Sequence, residues 1–208
     1  MKKSDSKQEM IQGDPKVINK RSRTIVRRLE ESAQVKRDLA KSQANQIERM
    51  VELIVAAYRS GGKVVLFGNG GSAADAQHIA GELMGRFKLE RMALPAIALT
   101  ANTSILTALA NDYGFGTVFS RQVEALVNAG DVVIGISTSG NSPNVIKALK
   151  AAKAKGAVTI GLTGGGGRLA GAADLTVAVP SESTPRIQEA HITIGHIVCE
   201  LVESELAS

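Results

Sequence analysis

The stretch Val64-Val65-Leu66-Phe67-Gly68-Asn69-Gly70-Gly71-Ser72-Ala73-Ala74-Asp75 passes from an apolar run through a glycine turn into a helical pattern. A short run of β-branched and large apolar residues without polar alternation predicts a strand buried on both faces. The glycines let backbone N–H groups converge without Cβ clashes. Ser72 is expected to cap the helix that follows, with Asp75 placed like the acid of a capping box. A helix start of this kind favours an anion such as a phosphate. Further along, His78 and Glu82 are four apart and share one helix face.

Moving outward, the same alternation recurs. Residues 63–67, 96–99, 132–136, 158–162 and 175–179 read as strands, and residues 73–86, 103–111, 143–155 and 186–206 as helices between and after them. This predicts a doubly wound α/β fold, a five-stranded parallel sheet flanked by helices. Ahead of the sheet, apolar positions from Ile25 to Arg59 recur at helical spacing and Gly61-Gly62 ends the pattern. The polar middle, residues 36–46, reads as a break or an exposed face. Residues 1–20, with Gly13-Asp14-Pro15 as a breaker, are expected to form a flexible polar leader, and residues 21–208 a single domain that includes the N-terminal helix.

Composition narrows the classes. A chain of 208 residues suffices for one well-buried domain and is short for two. The formal net charge of +5 is concentrated at one end: residues 1–41 hold 12 of the 25 Lys and Arg and 6 of the 20 Asp and Glu, leaving 13 against 14 elsewhere. A near-neutral remainder does not call for a nucleic-acid partner. Residues 1–28 hold no apolar signal core and no apolar run of about 18 residues occurs anywhere, so neither secretion nor a membrane is expected. The lone Cys199 cannot form an internal disulfide and fits a cytoplasmic location.

Two loops carry the ligand signal. Gly68-x-Gly70-x-x-Ala73 satisfies a dinucleotide fingerprint in form, but the second strand runs into Thr100-Ala101-Asn102, with no acid for a ribose. A Walker ending is also absent. The second loop, Ser137-Thr138-Ser139-Gly140-Asn141-Ser142-Pro143, follows the strand 132–136 and crowds hydroxyls at a helix start, which suits a phosphate monoester. Ser142 is equally a good N-cap with Pro143 at the first helical position.

Gly68-Asn69-Gly70-Gly71-Ser72, Ser137-Thr138-Ser139-Gly140-Asn141-Ser142 and Arg186-Ile187-Gln188-Glu189-x-His191 together resemble the sugar isomerase (SIS) domain family, and within it the phosphoheptose isomerases. The resemblance covers roughly residues 25–205. It implies an aldose–ketose isomerase that converts sedoheptulose 7-phosphate into D-glycero-D-manno-heptose 7-phosphate through an enediol, the first step toward nucleotide-activated heptose for lipopolysaccharide or other surface glycans. It also implies Glu82 as base and His196 as acid, and zinc among His78, Glu82, Gln188 and His196. Asn69, Gly70, Gly71, Ser72, Glu82, Gln188, Asn111 and Asp112 would contact substrate, and Ser137, Thr138, Ser139 and Ser142 its phosphate and nearby oxygens.

Without the family, a lone histidine on an amphipathic helix is a surface group or a hydrogen-bonded core group, and His191 keeps that reading. Gln188 and His196 are eight apart, about 12 Å along a straight helix and about 80° around it. For both to reach one zinc, either Gln188 lies before a bend or the two come from different subunits. The second alternative would place active sites at subunit interfaces, and the resemblance implies a homotetramer. Pro185, where many family members carry another residue, fits a helix start. The main rival is a non-catalytic binding factor similar to the DnaA initiator-associating protein; such relatives lack the acid–base pair that Glu82 and His196 supply here, and an isomerase for another phosphorylated sugar or a sugar-phosphate sensor is a third possibility.

Overall fold

The structure, a computed structural model, describes residues 19–207. The expected leader lies outside the described residues as far as residue 18. Helix α1 (Lys20–Arg59) opens the fold, its first turn capped by Asn19, which accepts from the Ser22 N–H at 3.0 Å. The helix is uninterrupted through residues 36–46, so the polar middle is an exposed face and no break occurs. Side-chain pairs three and four apart, such as Arg37 and Asp38 on Gln34, run along that face. Its second half buries Ile47, Met50, Val51, Ile54 and Val55 against the core.

Five strands follow: β1 (Val64–Gly68), β2 (Ala96–Ala98), β3 (Val132–Ser137), β4 (Val158–Thr163) and β5 (Leu175–Ala178). They form one parallel sheet in the order β2-β1-β3-β4-β5. The helices between and after them are α2 (Gly71–Met84), α3 (Thr103–Tyr113), α4 (Ser120–Leu126), α5 (Pro143–Ala154) and α6 (Thr184–Leu206). Helix α4 and the short 3-10 turns at Phe115–Thr117 and Arg168–Gly171 have no counterpart among the sequence expectations. Each is too short to show helical periodicity.

The continuous apolar runs have a direct cause. Along β1, Val64 and Leu66 enter one core with α1, α2 and α6, while Val65 and Phe67 enter the other with α4 and α5. Strand β3 divides likewise, with Ile134 and Ile136 on the first side and Val133 on the second. Both faces are covered, so a period of two leaves no polar side to expose. From β1 the chain goes to β2 at one side and then to β3 at the other. The loops after β1 and β3 thus flank the point where strand order reverses, where sheets of this kind bind ligands.

Candidate active site

The register Gly68↔Ile136 sets Asn69 beside Ser137 at the carboxyl ends of β1 and β3. Asn69 and Asn144 exchange two amide hydrogen bonds, each 2.9 Å, which tie the two loops together. At Gly68 a Cβ would lie 2.7 Å from the Ser72 Cβ, so only glycine lets the turn fold back this closely. Gly70, at φ 58°, is the N-cap of α2, with no side-chain bond. This corrects the expected cap: the left-handed turn at Gly70 starts the helix early, so Ser72 is a buried residue inside its first turn. Asp75 consequently has no capping-box role. Burial pushes its carboxyl up, nearby His78 opposes that, and its Oδ2 has no partner.

The serine loop is built around Gly140, at φ 64°, with the Gly140 N–H donating to Ser137 O at 3.0 Å. Ser142 is the N-cap residue of α5 and Pro143 stands in its first turn, as expected, but the Ser142 hydroxyl does not cap. It lies 2.9 Å from the Ser137 hydroxyl, while the Asn144 side chain accepts from the Val145 N–H. Two hydroxyls thereby meet at the start of α5. Thr138, Ser139 and Asn141 line a cleft of about 860 Å³ with Gly165, Gly166, Gly167 and residues 180–184. Sequence reasoning missed the Gly165–Gly167 part of this wall, although the run Gly164-Gly165-Gly166-Gly167 at the end of β4 marked it.

The other half of the site lies where α2 and α6 meet. Gly195 has no side chain, and a Cβ there would be 2.7 Å from Ile79 Cδ1. That close approach brings the next residues together: His78 Nε2 is 3.0 Å from His196 Nε2 and 3.2 Å from Glu82 Oε1. The Phe87 ring lies against His196 with centroids 5.6 Å apart. The His78 side chain is 47% exposed and that of Glu82 27%, so the cluster faces outward rather than into the cleft.

Helix α6 runs unbroken from Thr184 to Leu206, with Pro185 in its first turn. Gln188 lies against Gly71, where its amide would meet any added Cβ, and His196 is two turns further along. The structure thus joins His78, Glu82 and His196 in one cluster and Gln188 to the glycine loop, with no bend to unite them. Asn111 and Asp112 sit exposed on α3, Asn111 donating to the Asp112 carboxylate at 2.8 Å, and neither hydrogen-bonds to either loop. His191 is fully buried, its Nε2 3.2 Å from Thr163 O, in keeping with a hydrogen-bonded core group.

Among the described residues, no three His, Cys, Asp or Glu side chains are grouped so as to hold a metal ion. The donors still suit zinc in kind: tetrahedral donors about 2.0–2.2 Å from the ion lie roughly 3.3–3.5 Å apart, close to the two spacings around His78. His78, Glu82 and His196, three of the four expected ligands, are therefore neighbours, while Gln188 lies apart from them.

Comparison with known proteins places the chain in a family. The SIS domain family model matches residues 29–164. A phosphoheptose isomerase of Aquifex aeolicus is 63% identical over 174 residues, 83% of this chain and 91% of that protein. Among solved structures, the phosphoheptose isomerase GmhA from Neisseria gonorrhoeae matches with a TM-score of 0.83 at 45% identity, over 88% of this chain and 98% of that one. A phosphoheptose isomerase from Francisella tularensis gives 0.84 at 38% identity, over 87% and 97%. This chain belongs to the SIS domain family, within its phosphoheptose isomerases.

Proposed function

We infer that this chain is an isomerase of sedoheptulose 7-phosphate, producing D-glycero-D-manno-heptose 7-phosphate. The observation that carries this is the His78–Glu82–His196 cluster placed along α2 from the phosphate loops, in a chain of this family. Gly71 and His78 are seven residues apart, about 10 Å of helix rise. In an extended heptose 7-phosphate, about seven bonds and about 9 Å separate the carbonyl carbon from the phosphorus. The glycine loop and His78 are thus separated along α2 by about the length of such a substrate.

In this reading Ser137, Thr138, Ser139 and Ser142 hold the phosphate at the start of α5, and Asn69, Gly70, Gly71 and Ser72 hold the chain between. Glu82 takes the proton from C1 and returns it to C2, while His196 moves a proton between the two oxygens. Zinc held by His78, Glu82 and His196 would supply positive charge beside those oxygens. A homotetramer accounts for the rest: a neighbour's Gln188, Asn111 and Asp112 would complete the outward-facing cluster. Ile25, Val26 and Leu29, each about half or more exposed on α1, offer an apolar face for such a neighbour. The enzyme is assigned to the cytoplasm and to the first step of nucleotide-activated heptose supply for lipopolysaccharide.

The direct test is turnover of sedoheptulose 7-phosphate by purified protein, with and without chelator. Native protein is expected to turn over and to lose activity to chelator until zinc is restored, and Glu82→Gln and His196→Asn to be inactive. Tight binding without turnover by the native protein would replace the isomerase with a phosphosugar-binding factor.

A further inference from the structure

Residues 85–94, between α2 and β2, form neither helix nor strand, yet three consecutive N–H groups in them share one acceptor. The Glu203 carboxylate accepts from the N–H of Phe87 at 2.8 Å, of Lys88 at 2.6 Å and of Leu89 at 2.5 Å. Arg91 Nε lies 3.1 Å from the same carboxylate, and both side chains are buried, Arg91 at 4% and Glu203 at 1% exposure. Burial pushes the Glu203 carboxyl up, but the three N–H groups and Arg91 outweigh this and hold it below the usual carboxylate range. A buried ionic group of this kind adds little net stability compared with well-packed apolar residues, so a role in fixing geometry is the better account.

The clamp reaches the reacting groups by two routes. Glu203 is seven residues beyond His196, on the same stripe of α6. The Phe87 ring, whose backbone Glu203 holds, rests on the His196 imidazole at 5.6 Å with 30° between the planes. Arg91, held by Glu203, donates to the carbonyl of Glu82 itself at 3.0 Å and to those of Gly85 and Met92 at 3.2 and 2.9 Å. Both members of the acid–base pair are thus referred to one buried carboxylate that touches neither substrate loop.

We propose that Glu203, through Arg91 and Phe87, is a positioning residue for the isomerase: it fixes the backbone of Glu82 and holds an aromatic ring against His196. The inference rests on the assignment of Glu82 and His196 as base and acid. It separates ring from bulk at Phe87: tyrosine keeps the aromatic contact, whereas leucine keeps only apolar volume.

The test is steady-state kinetics of the zinc-loaded enzyme with sedoheptulose 7-phosphate, alongside urea unfolding, for Glu203→Gln, Phe87→Leu, Phe87→Tyr and the double variant Glu203→Gln/Phe87→Leu. Misplacing a catalytic group by about 1 Å costs up to about 100-fold, so kcat is expected to fall about tenfold or more in Glu203→Gln and Phe87→Leu, with KM within about twofold. Phe87→Tyr should keep native kcat. The double variant should fall by less than the product of the single effects, because both act through one segment. Native kcat in Phe87→Leu, or in folded Glu203→Gln, overturns the proposal; if Glu203→Gln does not fold, the Phe87 pair decides. Activity retained by Glu82→Gln and His196→Asn would overturn the acid–base assignment instead, a result distinct from failure of the clamp.

Discussion

At the scale of single residues, His191 shows how a buried histidine differs from the two at the surface. Its Nε2 donates to Thr163 O, while Nδ1 has no partner, so a second proton would place an unpaired charge in the core. Burial therefore pushes its pKa down to about 4, with the bond to Thr163 acting weakly the other way. Above pH 6.5 the ring is neutral in folded and unfolded chains alike. Between pH 6.5 and 4 the unfolded chain takes up a proton that the folded one does not. Stability from this group is lost as pH falls through that window, by about 1.4 kcal/mol per pH unit. Urea midpoints measured from pH 7 to pH 4.5 should fall more steeply for the native protein than for His191→Gln, which keeps a donor for Thr163 without titrating. Parallel pH profiles would show that His191 does not carry the effect.

At the scale of elements, the site depends on how closely α2 and α6 approach, and that rests on Gly195 against Ile79. Gly195→Ala gains about 0.5–1 kcal/mol of helix propensity but overpacks a core contact, which costs about 1–3 kcal/mol. Stability should change little or drop by about 1–2 kcal/mol in urea unfolding, while turnover falls more than tenfold because His78 and His196 are forced apart. A variant with native kcat would show that helix spacing does not set the cluster. The glycine pattern also marks what could be read beforehand. Strands and long helices announce themselves by periodicity, and β1, β3 and β4 emerged within a residue or two of their observed ends. Which glycine serves a turn and which serves a contact is not periodic. Ser72 looked like a cap because the left-handed turn at Gly70 is a backbone property, and Gly195, lying mid-helix, gave no local signal. Likewise Glu203 and Arg91 are ordinary surface letters until the segment 85–94 folds over them.

At the scale of the whole molecule, a straight α6 sets a constraint that one chain does not relieve. Gln188 serves the glycine loop of its own chain and lies about 12 Å along the helix from His196, yet the family resemblance assigns both to one site. Closed symmetric assembly resolves this if the outward-facing cluster of one subunit is completed by Gln188 of another. Shared sites leave a signature that intrachain sites lack. Homomeric His196→Asn and homomeric Gln188→Ala are each expected to be inactive. Co-expressed in equal amounts and purified as mixed oligomers, they should recover about a quarter of native activity, because a given site draws its histidine and its glutamine from two independently chosen subunits. Purification through two different affinity tags, one on each variant, ensures that the assayed oligomers are mixed. If such oligomers remain inactive, both residues act within one chain, and Gln188 serves the phosphate end of the substrate rather than the metal.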